Sequence, residues 1–104
     1  MKLLTKEILK NLPDTLAQRN KKDPIAYVKF FLPTGRWTWY LIGMDSDQDY
    51  CFGYCLSGID EDFDEYGYFS LNELKGIRIF GLGIERDRYF KPTRMSEILA
   101  KKMT

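Results

Sequence analysis

Residues 25–44 read IAYVKFFLPTGRWTWYLIGM, and the fold turns on this stretch. Ile25 to Leu32 is β-branched and aromatic with Lys29 as its one charge, which suits a largely buried strand. Pro33-Thr34-Gly35 follows with Pro at the second position and Gly at the fourth of a type I turn. Arg36 to Gly43 then sets Trp37, Trp39 and Leu41 on one face against Thr38, Tyr40 and Ile42 on the other, so both faces are apolar enough to be covered or used. The two runs predict an antiparallel hairpin.

Working toward the C-terminus, Asp45 to Asp49 is a polar loop, Tyr50 to Ser57 a third strand, and Gly58 to Glu65 an acidic loop before a short extended piece, Tyr66 to Phe69. Ser70 and Glu73 have capping-box spacing and open a short helix, Leu71 to Lys75. Residues 76 to 83 hold three glycines and take no assigned element. From 84 to 90, Ile84, Arg86, Arg88 and Phe90 alternate with Glu85, Asp87 and Tyr89, as in an edge strand. Pro92 ends it, Thr93 caps the next element, and Met95, Ile98, Leu99 and Met103 stripe a terminal helix.

Toward the N-terminus, Thr5 is an N-cap with Glu7 in the first turn, and Leu4, Ile8, Leu12 and Leu16 recur every four residues beside Leu9. Pro13 cannot sit in an uninterrupted helix, so the element kinks there or restarts with Pro13 in a new first turn running to about Arg19. Gln18 to Asp23 then forms a loop closed by Pro24. The expectation is one α+β domain over residues 1–104: a mainly antiparallel sheet of three to five strands with an N-terminal, a short internal and a C-terminal helix. Leu4, Ile8, Leu12 and Leu16 should pack the first helix on one sheet face.

Composition narrows the chemistry. The chain has 44% hydrophobic and 30% charged residues, the balance of a folded globule, and its aromatic share supplies a core without disulfides or metal. With no His, a Ser/His or Cys/His nucleophile, a histidine-ligated metal and a histidine pH switch are excluded. Cys51 and Cys55 lack two further soft ligands for zinc, and on one strand their Cα atoms stand roughly 13 Å apart, too far for a disulfide. Free thiols and a reducing cytoplasm follow. The opening MKLLTKEILK carries charges where a signal peptide needs an apolar run, and no segment has the length of a membrane span, so no membrane association is expected.

Net charge is only +1, but it is unevenly spread. Residues 1–36 hold eight Lys/Arg against three Asp/Glu, residues 37–74 hold nine Asp/Glu and no Lys or Arg, and residues 75–104 return to eight against three. Opposite blocks commonly pair in folded chains, so mutual neutralisation across a sheet is expected over an outward dipole.

Asp45-x-Asp47-x-Asp49 copies the opening of a calcium loop, but Tyr50 occupies the glycine position and Leu56 the bidentate glutamate position, leaving a solvated loop. Asp60, Glu61, Asp62, Asp64 and Glu65 read as an exposed acidic loop. Gly81-x-Gly83-x-x-Arg86 has Arg at the third glycine of a dinucleotide fingerprint and no helix after it. No cofactor or metal is expected. Two features remain. Trp37, Trp39 and Tyr40, flanked by Lys29 and Arg36, combine stacking rings with cations as single-stranded nucleic acid binding requires, although such rings on a small sheet are usually core. Glu85, Arg86, Asp87 and Arg88 crowd charge between Phe80, Tyr89 and Phe90, as an ion-pair network or a pocket lining. In an extended segment Arg86 and Arg88 face one side and Glu85 and Asp87 the other. Arg86 then either engages an anion beside an aromatic ring or neutralises the acidic block of residues 45 to 65.

The stretches MKLLTKEILKNLP, YVKFFLP, WTWY, GYFSLNEL and GLGIERDRYFKPT together resemble the bacterial domain-of-unknown-function family 2958 over nearly the whole chain. The residues that match its pattern are Trp37, Thr38, Trp39, Tyr40, Gly67, Tyr68, Phe69, Glu85, Arg86, Asp87, Phe90 and Pro92; the loop from Asp60 to Glu65 departs from it. The resemblance implies a small accessory protein of plasmids and other mobile DNA. The expected function is a non-enzymatic binding module with a protein partner; a single-stranded nucleic-acid module is the first alternative, and an enzyme using the Glu85 and Asp87 carboxylates the second.

Overall fold

The structure is a computed structural model that describes residues 3–18, 20–57 and 64–102. Its elements are α1 (Lys6–Asn11), α2 (Thr15–Gln18), β1 (Ile25–Ala26), β2 (Val28–Phe31), β3 (Thr38–Met44), β4 (Tyr50–Leu56), β5 (Glu65–Ser70), α3 (Leu71–Gly76), β6 (Arg78–Ile79), β7 (Leu82–Gly83), β8 (Glu85–Arg86), β9 (Thr93–Arg94) and α4 (Met95–Lys102). Five strands form one antiparallel sheet in the order β5-β4-β3-β2-β8, while β1 pairs with β9 and β6 with β7. The fold is α+β, at the upper end of the expected strand number.

The central hairpin forms, but the expected strand from Ile25 to Leu32 is divided at Tyr27 into β1, which pairs with β9, and β2, which pairs with β3 and β8. Gly35 N–H donates to the Leu32 carbonyl at 3.1 Å to close the turn, and the register sets Phe30 opposite Trp39 and Lys29 opposite Tyr40. Further along β3 the pairing slips between Leu41 and Gly43. The chain leaving α1 lies against that irregularity: Met44 N–H donates to the Pro13 carbonyl at 3.0 Å, and a Cβ on Gly43 would stand 2.9 Å from the Asp14 oxygen. Only glycine lets the two backbones approach so closely.

One sheet face carries Val28, Phe30, Trp39, Leu41 and Cys51, under Leu3, α3 residues Leu71 and Leu74, and the partly buried Leu4, Ile8, Leu9 and Leu12. The other carries Tyr40, Ile42, Phe52 and Tyr54 beneath Met95, Ile98 and Leu99 of α4. The α1 stripe therefore holds for Leu4, Ile8 and Leu12 and fails at Leu16, which is 62% exposed. Pro13 is the cause. Leu12 is extended at the end of α1, and α2 restarts at Thr15 with the Asp14 carboxylate accepting Ala17 N–H at 2.8 Å, so Pro13 stands before the new turn and not inside it. The restart resets the helical phase, and Thr15 and Gln18 turn inward in place of Leu16.

Three other segments depart from the reading of the sequence. Residues 78–83 form a small hairpin whose tip, Phe80 and Gly81, has φ of 52° and 80°, the primed-turn geometry that suits tight strand reversal. The extended run after Ile84 stops at Arg86, because Asp87 folds a turn: its carboxylate accepts Tyr89 N–H at 2.9 Å and its carbonyl accepts Phe90 N–H at 3.3 Å. Period-two alternation thus covers Glu85 and Arg86 and does not reach Asp87 and Arg88. Finally, Thr93 pairs with Ala26 in β9, and the start of α4 is held from a distance by Asp23, whose carboxylate accepts Ser96 N–H at 2.9 Å and Ser96 Oγ–H at 2.8 Å. Met103 lies outside the described residues.

Candidate interaction surface

The sequence-derived candidates divide between core and rim. Trp37 and Trp39 stack at 6.1 Å with 19° between ring planes, and Trp39 is buried against the α1 side of the sheet. Tyr40 is buried on the α4 side against Phe90, with ring centroids 5.8 Å apart. The stacking strand expected for nucleic acid is therefore mostly core. Burial raises the Tyr40 hydroxyl above its ordinary pKa, and the charge of Asp87 adds in the same direction. Those two residues share a groove of about 580 Å³ beside α4 with Lys29, Tyr54, Phe90 and Lys101.

Around the β8 edge, Arg86 lies opposite Phe30 and Glu85 opposite Phe31. Arg86 Nη1 donates to the Leu3 carbonyl at 3.1 Å, which ties β8 to the N-terminal segment. Glu85, Asp87 and Arg88 line one shallow depression with Lys29, although the Asp87 carboxylate is engaged in its own turn.

Each carboxylate of the first acidic loop holds backbone or a hydroxyl in place. Asp45 accepts from Thr15 Oγ1 on α2. Asp47 accepts Asp49 N–H at 2.9 Å and Tyr50 N–H at 3.0 Å, and these bonds hold its carboxyl below the usual range. Asp49 reaches across to α3, accepting Asn72 N–H at 2.7 Å and Ser70 Oγ–H at 2.8 Å, while Ser70 Oγ caps Glu73 N–H at 3.2 Å. Among the described residues no three His, Cys, Asp or Glu side chains gather as a metal site would need. Asp64 accepts Ser57 N–H at 2.7 Å; Asp60, Glu61 and Asp62 lie outside the described residues. Both cysteines are free, and burial pushes the Cys51 thiol up to about 12 and the Cys55 thiol to about 11, with neighbouring carboxylates adding to both.

The sequence reading missed a ladder of rings on β4 and β5. Tyr50, Phe52 and Tyr54 alternate along β4, and the register places Phe52 opposite Tyr68 and Tyr54 opposite Tyr66. Tyr50 and Tyr68 stack at 4.8 Å, Phe52 and Tyr68 meet at 5.3 Å, and Tyr54 and Tyr66 meet edge-on at 4.9 Å. Phe52 and Tyr54 are buried, whereas Tyr50, Tyr66 and Tyr68 stand 45%, 40% and 43% exposed. The signal was present as an aromatic ring at every second position in both arms flanking an acidic loop; read separately, each arm resembles ordinary core.

Among the described residues no strand pairs with the outer side of β5, where the ladder ends. β5 is the terminal strand of the sheet, six residues long, with Glu65 its only charge and no Pro or Lys. At Gly67 an added Cβ would meet nothing within 4 Å, whereas at Gly53, directly opposite, it would fall 2.0 Å from the Tyr40 carbonyl oxygen. The sheet order also lays β3, β4 and β5 side by side, all from the stretch without Lys or Arg, while β2 carries Lys29 and β8 carries Arg86 beside Glu85.

No helix among the described residues is long and apolar enough to cross a membrane. No curated protein and no solved structure matches the chain. Residues 3–102 match the family model described as protein of unknown function (DUF2958), and the chain belongs to that family.

Proposed function

We propose that this chain is a non-enzymatic accessory binding protein of a bacterial mobile element, acting in the cytoplasm and taking a protein partner as an added strand on β5. The observation that carries the reading is the unguarded edge itself. Exposed edge strands present unpaired backbone donors and acceptors, and proteins usually blunt them with Lys, Pro, a bulge or brevity. β5 has none of these guards, and the tyrosines beside it supply the rigid, amphipathic rings that protein interfaces favour. Strand addition draws affinity from the main chain and specificity from alternate side chains.

Purifying a complex captured from the host and mapping amide hydrogen exchange on it tests this. Protection across residues 65–70 is the expected result. Protection confined to residues 85–91 would move the docking surface to the opposite edge.

A single-stranded nucleic-acid reading draws on another place, where Tyr89 stands 94% exposed beside Arg88 and Lys91. It requires oligonucleotide binding that weakens steeply with salt and fails in Tyr89→Ala.

A further inference from the structure

We infer that the strand received by β5 carries lysine or arginine at alternate positions, on the side that meets Tyr66 and Tyr68; this rests on the strand-addition reading above. In an antiparallel pair, directly opposed side chains on one face stand about 5 Å apart, within the roughly 6 Å over which a cation is held by an aromatic ring. An added strand would therefore set two of its alternate side chains against two exposed tyrosine rings. The charge around those rings selects the sign of the side chains. Residues 37–74, which build β3 to β5 and most of α3, contain no Lys or Arg. Glu65 begins the edge on the face opposite the rings, Asp49 is bonded to Ser70 at its end, and Asp23, with Arg94 beside it, lies close enough to influence Tyr66.

Other occupants fit less well. A second copy paired edge to edge would place two such acidic stretches side by side, which opposes the assembly. An acidic strand would meet carboxylates with no cation of residues 37–74 to answer it. On the opposite face of β5 the partner's intervening side chain passes over Gly67, where the open space admits a large apolar group.

Two synthetic ten-residue peptides test the assignment, one alternating threonine with lysine and one alternating threonine with glutamate, each titrated into the full chain and mapped by amide exchange. The lysine peptide should bind about tenfold more tightly or better at low salt, protect residues 65–70, and lose its advantage as salt rises. Tyr66→Leu with Tyr68→Leu, which keeps apolar side chains against Phe52 and Tyr54, should erase the preference. Protection of residues 65–70 by both peptides with equal affinity, or better by the glutamate peptide, would overturn the basic partner while leaving strand addition intact. Absence of protection at residues 65–70 with either peptide would overturn both.

Discussion

The two edges of the sheet are built in opposite ways. β8 is two residues long, carries Glu85 and Arg86, is tied to the Leu3 carbonyl, and is cut off at once by the Asp87 turn. β5 is six residues long, nearly uncharged and bordered by half-exposed tyrosines. Shortness, charge and a turn are the usual means of keeping an edge from pairing. β8 combines all three, whereas β5 has only the charge of Glu65 at its start, and the proposal places strand addition there.

The largest effect should come from separating rings that hold the fold from rings that serve the surface. Trp39→Ala removes a buried ring and should cost about 3 to 5 kcal/mol in urea denaturation. Tyr68→Ala, on the half-exposed ladder, should cost about 1 kcal/mol. Comparable losses would mean that the ladder is core after all. The two facing glycines sharpen the contrast: Gly53→Ala drives a Cβ into the Tyr40 carbonyl and should cost about 3 kcal/mol or more, whereas Gly67→Ala should stay within about 0.5 kcal/mol of the parent.

At the guarded edge, Arg86→Ala breaks the bond to Leu3 and should cost about 1 to 2 kcal/mol, read as a lowered melting temperature with the lysine-peptide affinity unchanged. A variant that melts normally would show that the bond contributes nothing to stability. The smallest effect is electrostatic. Asp23 and Asp47 have folded-state carboxyl pKa values below the ordinary 3.8, each chiefly through backbone hydrogen bonds. Their stabilising contribution is present above that unfolded value and is lost as pH falls through the lower folded one. Stability should therefore decline on acidification below about pH 4, and Asp23→Asn with Asp47→Asn should flatten the decline. An unchanged slope in the double variant would assign the acid sensitivity to other groups.

The fold was legible where local chemistry and packing agree. The hairpin at Pro33 to Gly35, the Ser70 cap of α3 and the Leu4, Ile8 and Leu12 stripe each follow from turn, cap or period rules. Leu16 was misread because four-residue spacing is meaningful only while one helix continues, and Pro13 breaks it. Asp87 was misread because a side chain that bonds its own backbone competes with strand pairing, which alternation alone does not register. The start of α4 depends on Asp23, far away in sequence and beyond any local rule. For the surface, the rings of WTWY and of the tyrosine ladder look alike in sequence; their difference is strand order, since β3 lies inside the sheet and β5 at its edge.

The most direct test of the open edge is to exchange charge at each end of the sheet and measure lysine-peptide affinity. Tyr68→Lys should weaken binding about tenfold or more, with melting little changed, and Arg88→Glu should leave the affinity within about twofold. Full affinity in Tyr68→Lys together with loss in Arg88→Glu would contradict docking on β5.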